Sequence, residues 1–204
     1  MLKRSMMIMY SGARDIYSHQ VRIVLAEKGV NVDIVNVDDN HPSEELAEIN
    51  PYNTLPTLVD RDLVLYNAPV ILEYLDERFP HPPLLPVYPV ARAKSRLMMH
   101  RIERDWYALA HKIERGTPGE QEHARKDLTE GITALVPVFN ESPYFLSDDF
   151  SLVDCCLMPL LWRLPALGIK LPKQAKPIFT YEQHVFHRNS FQVSLTEDER
   201  ELRE

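Results

Sequence analysis

Phe79-Pro80-His81-Pro82-Pro83-Leu84-Leu85-Pro86-Val87-Tyr88-Pro89 divides this chain. Five of its 16 prolines fall in this run, where a mixed strand-and-helix pattern gives way to one that is helical nearly throughout. Each proline fixes φ near about −65° and pushes the preceding residue to extended geometry, so the run leaves helix and acts as a stiff connector. Two readings stay open from the residues. One is a rigid joint whose apolar side chains pack on what flanks it. The other is a preformed protein-docking surface, with little backbone entropy left to lose on binding.

Upstream of the run, residues 5–10 read as a buried strand, and Asp15 or Ser18 is placed to cap the helix that follows. Tyr17, Val21, Val24, Leu25 and Lys28 mark one face of that helix, and Gly29 ends it. Val32, Ile34, Val35 and Val37 form a second strand, parallel to the first through a right-handed crossover. Residues 40–53 are turn-rich, with a short helix at Ser43–Ile49 capped by Ser43. Leu55–Tyr66 is an antiparallel hairpin turning at Asp60–Asp62. Ala68, Ile71, Leu72, Leu75 and Phe79 then repeat at helical spacing. The order βαβαββα is that of a thioredoxin-like domain.

Downstream, Ala91, Met98, Ile102, Trp106, Leu109 and Ile113 predict one long helix, broken at Gly116-Thr117-Pro118-Gly119. Leu128, Ile132, Leu135, Val136 and Phe139 mark the next, which Pro137 bends or shortens near its end. Ser151-Leu152-Val153-Asp154 is a capping box opening a helix to Leu164 that is apolar on nearly every face and therefore buried. Residues 174–188 and 197–203 predict the last helices, the second opened by Thr196-x-x-Glu199. The expected organisation is a thioredoxin-like domain at 1–79, a proline-rich linker at 80–89 and an all-helical domain at 90–204.

With 204 residues, 45% of them hydrophobic and 26% charged, the chain is an ordinary globular one. A net charge of −7 argues against a general nucleic-acid or membrane-surface binder. The apolar run near the N-terminus is too short for a signal h-region, and no stretch approaches a membrane span. Cys155 and Cys156 are adjacent, so they close no loop and lack metal or redox spacing; a reducing cytoplasm suits them.

A thioredoxin-like half, a linker and a helical half bearing the Ser-x-x-Asp box together resemble a glutathione transferase. The resemblance assigns Leu55-Pro56-Thr57-Leu58 to that family's cis-proline segment. More specifically, Asp15–Gly29, Tyr74–Pro83, Val87–Arg92, Tyr144–Asp148 and Phe150–Cys155 resemble the stringent starvation protein A family, over essentially the whole chain. That resemblance implies a cytoplasmic homodimer bound to RNA polymerase holoenzyme and its housekeeping sigma factor, regulating transcription in starvation and stress. It places the polymerase contact at Pro80, His81 and Pro82, flanked by Phe79, Pro83 and Tyr88. A free imidazole titrates near about pH 6.5, so docking through His81 is expected to depend on pH.

A glutathione-dependent transferase is the alternative, and it makes two demands. Active family members carry a Ser, Tyr or Cys after the first strand to ionise the glutathione thiol. Here that place falls at about Asp15 to Tyr17. Asp15 would repel a thiolate and Ile16 has no hydrogen to donate, while Tyr10, Ser11 and Tyr17 stay open. The family also holds the γ-glutamyl end with an acidic residue and a Ser before the third helix, where this chain has Asn67 and Ala68. Charge-assisted bonds contribute roughly 1.5–3 kcal/mol each, so losing both weakens binding ~100-fold or more. Asp15, Tyr17, Leu55, Pro56, Asn67 and Ala68 thus make a degenerate glutathione site, and the expectation is no enzyme, no cofactor and no metal.

Other constellations are weaker. His184 and His187 lack a third ligand at suitable spacing and read as solvent-facing. Arg92, Lys94, Arg96, Arg101 and Arg104 put a basic stripe on the long helix, but Glu103 and Asp105 interrupt it, so direct sequence-specific DNA binding is not expected.

Overall fold

A computed structural model describes residues 6–38 and 43–203. Ser5, the expected start of the first strand, and Asn40, in the turn-rich stretch, lie outside the described residues. The chain forms two compact units, one of residues 1–82 with 190–201, the other of 83–189 with 202–204.

The first unit is built on a four-stranded sheet of order β2-β1-β3-β4. β1 (Met7–Gly12) is central and buries all but one of its residues. β2 (Val32–Val37) runs parallel to it, Met7 opposite Val32. β2 is an edge strand, so Asp33, Ile34 and Asn36 stay exposed. β3 (Thr57–Asp60) pairs antiparallel with β1, Tyr10 opposite Thr57, and with β4 (Leu63–Tyr66). The hairpin turn sits at Arg61, with φ +61°, and Asp62.

Between β1 and β2 runs α1 (Ile16–Glu27), which Asp15 caps by accepting from the Ser18 amide at 2.6 Å. Gly29 takes φ +61° at its end, and Val30 N–H bonds the Leu25 carbonyl at 3.0 Å, closing a Schellman turn that a side chain with a Cβ would strain. α2 (Glu44–Ile49) is capped by Ser43. α3 (Ala68–Arg78) packs against α1 and buries Ile71, Leu72 and Leu75.

In the second unit, α4 (Pro89–Arg101) runs through a π-helical segment, Ile102–Tyr107, into α5 (Ala108–Arg115). The wide turn changes the expected stripe. Buried positions run Met99, Ile102, Tyr107, Ala110 and Ile113, with five residues from Ile102 to Tyr107. Trp106 and Leu109 are left half-buried, because one extra residue rotates everything downstream by about a quarter turn. α6 (Pro118–Thr133) opens on a Thr117–Glu120 capping box that the reading of the sequence passed over. α7 (Val136–Phe139) is a separate turn rather than a bent extension. α8 (Leu152–Arg163) is buried at every residue except Trp162, as its all-round apolarity predicts. α9 (Lys176–Phe186) packs on α7 and α8 after a 3-10 turn at Lys173–Ala175.

Two short helices follow, α10 (Asn189–Ser194), which the apolar spacing did not reveal, and α11 (Glu197–Glu201). Most of this tail, Ser190–Glu201, belongs to the first unit although it is last in sequence.

Candidate functional site

The register of β1, β3 and β4 gathers one set of candidate residues at a single end of the sheet. Tyr10 faces Thr57 and Thr57 faces Tyr66, so the exit of β1, Pro56 and Asn67 share that end. Asp15 spends its carboxylate on the α1 cap, and Tyr17 is half-buried. Leu55–Pro56 is a cis peptide, as the resemblance implies. Asn67 is exposed at φ +82°, an unfavourable conformation for a residue with a Cβ, and gives α3 no side-chain cap. Ala68 is buried. The end therefore offers neither a carboxylate nor a hydroxyl at 67 and 68 to hold an ammonium or a carboxylate.

The opposite end is organised by Lys28. This side chain, which helical spacing puts on the same face of α1 as Val21, Val24 and Leu25, is fully buried and donates to Asp76 Oδ1 at 2.6 Å and to the Pro82 carbonyl. It ties the C-terminus of α1 to α3 and to the proline run in one group. Phe79 closes α3 through its amide to the Leu75 carbonyl at 3.0 Å, with the Arg78 guanidinium 5.3 Å from its ring centre. The run then turns outward: Pro80, His81 and Pro82 are exposed, and His81–Pro82 is cis. A cleft of ≈ 570 Å³ adjoins Phe79, lined also by Met6, Met7, Asp60, Arg61 and Arg78. Tyr74 donates to Asp60 at 2.6 Å, and burial followed by that carboxylate raises its phenol.

In the second unit Pro83 is exposed, as are Val87 and Tyr88 at 82% and 79%. Leu84 and Leu85 are buried, and the Leu84 carbonyl accepts from the Leu152 amide at 2.8 Å. Within the run, Leu84 and Leu85 turn into the second unit, while Pro80, His81, Pro82, Pro83 and Tyr88 are exposed.

The capping box of α8 is a wider network than spacing suggested. Asp154 accepts from the Phe145 amide at 2.9 Å, Tyr181 hydroxyl at 2.7 Å and Ser151 amide at 2.9 Å. Burial still holds its carboxyl above the usual range, outweighing the lowering effect of the Phe145, Tyr181 and Ser151 hydrogen bonds. Cys155 and Cys156 are fully buried; burial, then the charges of Glu103 and Asp154, pushes the Cys156 thiol well up and away from thiolate chemistry. His184 and His187 are exposed, with His184 against the Tyr144 ring at 5.0 Å. Among the described residues no three His, Cys, Asp or Glu are placed to hold a metal ion. Lys94, Arg96, Arg101 and Arg104 are exposed and Arg92 half-buried.

One cluster escaped the sequence entirely. Arg22 reaches Ser11 Oγ at 2.6 Å, the Ser194 carbonyl at 2.8 Å and Glu199 at 2.7 Å, all buried. His19 lies between Ser194 and Glu199 with no exposed surface. Ser, His and Glu in that order look like a hydrolytic relay, but Ser194 is only 4% exposed and no substrate reaches it. The one signal available was the second capping box, Thr196 and Glu199, whose reciprocal bonds both measure 3.1 Å.

A glutathione S-transferase N-terminal domain model matches residues 16–78 and the C-terminal domain model residues 97–189. A rice glutathione transferase solved with glutathione shares the fold at TM-score 0.86, with 21% identity, over 98% of this chain and 95% of that one. Within this glutathione transferase-like class, the chain is 64% identical to the stringent starvation protein A homolog of Coxiella burnetii, over 100% of this chain and 98% of that protein. It is 58% identical to the homolog of Pasteurella multocida over 95% and 92%. The chain belongs to the stringent starvation protein A family, a starvation-related branch of the glutathione transferase-like proteins. No helix among the described residues is long and apolar enough to cross a membrane.

Proposed function

We propose that this chain is a non-catalytic transcription regulator that docks on RNA polymerase holoenzyme, in contact with the housekeeping sigma factor, during starvation and stress. It acts as a cytoplasmic homodimer, and its docking surface comprises Phe79, Pro80, His81, Pro82, Pro83 and Tyr88. The observation that carries this reading is the outward, pre-stiffened Pro80-His81-Pro82, fastened from beneath by the buried Lys28 to the Pro82 carbonyl. A rigid surface loses little conformational entropy on binding, and prolines and aromatics supply compact apolar anchors.

The absence of a carboxylate and a hydroxyl at Asn67 and Ala68 supports a protein without glutathione turnover. The shared transferase fold keeps a glutathione-dependent enzyme as the second reading, and a glutathione titration separates the two. Replacing Pro80, His81 and Pro82 together with alanine, and measuring holoenzyme binding beside the melting temperature, tests the first. Lost binding with an unchanged melting temperature is the expected result. Retained binding removes the surface from the proposal, and lost folding reduces the run to a joint.

A further inference from the structure

The tail Asn189–Glu201 folds as two helices of 6 and 5 residues, each too short to persist in water alone, so its attachment rests on side chains. Thr196 Oγ1 donates to the Ala13 carbonyl at 2.7 Å, and Ser190 hydroxyl to Glu27. The buried centre of this attachment is His19, Arg22 and Glu199. Its protons can be counted. Ser194 has one hydroxyl hydrogen, and its Oγ lies 2.7 Å from the Phe191 carbonyl, which can only accept. His19 Nε2 lies farther away, 3.2 Å from the same Oγ. With the hydrogen given to the closer carbonyl, Ser194 accepts from His19, and Nε2 carries a proton. His19 Nδ1 faces Glu199 Oε1 at 3.4 Å, and an ionised carboxylate also only accepts. Two acceptors, one at each ring nitrogen, call for two ring protons.

We infer that His19 is held as an imidazolium and that the C-terminal tail is clasped to the first unit by that proton. From α1 the charged group beside it is Arg22, and from α11 Glu199, which Arg22 shares at 2.7 Å. α10 contributes the Ser194 hydroxyl and the Phe191 ring, 5.3 Å centre to centre from His19. At the end of β1, Ser11 and the Gly12 carbonyl accept from Arg22 rather than from His19. Arg14, just beyond, pairs at the surface with Asp198 at 3.6 Å and Glu201 at 3.7 Å. Losing the proton would set the Nδ1 lone pair against a carboxylate inside the protein, where unpaired polar contacts are costly. The sign follows from the proton being bound when the tail is docked. The attachment is complete while His19 keeps both protons, and weakens as pH rises through the point where the docked cluster releases one. The residues freed would be those covering Ala13 and the exit of β1.

Hydrogen exchange on the full chain tests this. After correction for intrinsic rates, protection of the 190–201 amides should fall as pH is raised from about 6 to 9, approaching tenfold per unit for one proton released on opening. The amides of Leu152–Arg163 should keep their protection, and His19→Gln should flatten the profile of the tail. A tail whose protection in the wild-type chain does not change with pH overturns the proposal. If His19→Gln does not fold, nitrogen NMR of the wild-type ring decides: two protonated nitrogens support the clasp, and a neutral ring of either tautomer overturns it.

Discussion

The two ends of the sheet in the first unit have diverged in chemistry. At the end where β1 exits stand Asn67, exposed and backbone-strained, and Ala68, buried. The tail reaches the nearby Ala13 carbonyl. At the end where β1 begins, Lys28, Arg61, Arg78 and Phe79 surround an open cleft, and three consecutive residues of the proline run stand exposed beside it. One scaffold carries both because strand pairing needs only backbone groups, which leaves the loops at either end free to change. The lesson is that the two ends can be altered independently of one another.

The sharpest way to break the contrast is at Lys28. Lys28→Met leaves the Asp76 carboxylate buried without its cation, which should cost about 3 kcal/mol in a denaturant titration, and it frees the Pro82 carbonyl. Docking on holoenzyme should weaken with it. Unaltered stability would mean that Lys28 is not the fastening of the run. Next in size, His81→Ala should weaken holoenzyme binding by about 2 kcal/mol, roughly 30-fold, at an unchanged melting temperature.

At the other end, Asn67→Glu with Ala68→Ser supplies the carboxylate and the hydroxyl that the glutathione-dependent reading calls for. Glutathione affinity, read by calorimetry, should rise about tenfold, equivalent to about 1.4 kcal/mol, without touching holoenzyme binding. No gain would show that the rest of that end has also closed to the tripeptide. The smallest effect belongs to the second unit. Ser151→Ala should cost about 1 kcal/mol through the α8 cap and leave both binding activities alone. The pH response of that cap has a definite sign. Asp154 is raised by burial, so the folded unit takes up a proton more readily than the unfolded chain. Its contribution to stability therefore falls as pH rises from the ordinary carboxylate range through the folded value, and Asp154→Asn should remove that slope.

Local signals carried much of the architecture. Gly29, Ser43, Ser151 and Thr196 sit where caps were expected, because a cap is decided by a few adjacent residues. The hairpin turn at Arg61–Asp62 and the buried α8 follow from composition over short windows. The long-helix stripe failed at Trp106 and Leu109 because a π turn is invisible to a 3.6-residue template. α10 was missed because its burial comes from docking, with no periodic face of its own.

The sequence by itself determined the order of elements, the stiffness of the proline run and the absence of a carboxylate and a hydroxyl at residues 67 and 68. Each depends on one residue or its near neighbours. Only the tertiary structure decided that a lysine on an apolar helix face would hold that run, and that a glutamate 177 residues from Arg22 would meet it in the core. Such pairings join groups far apart along the chain, and a buried charge finds its counter-charge only once the fold has excluded water around both.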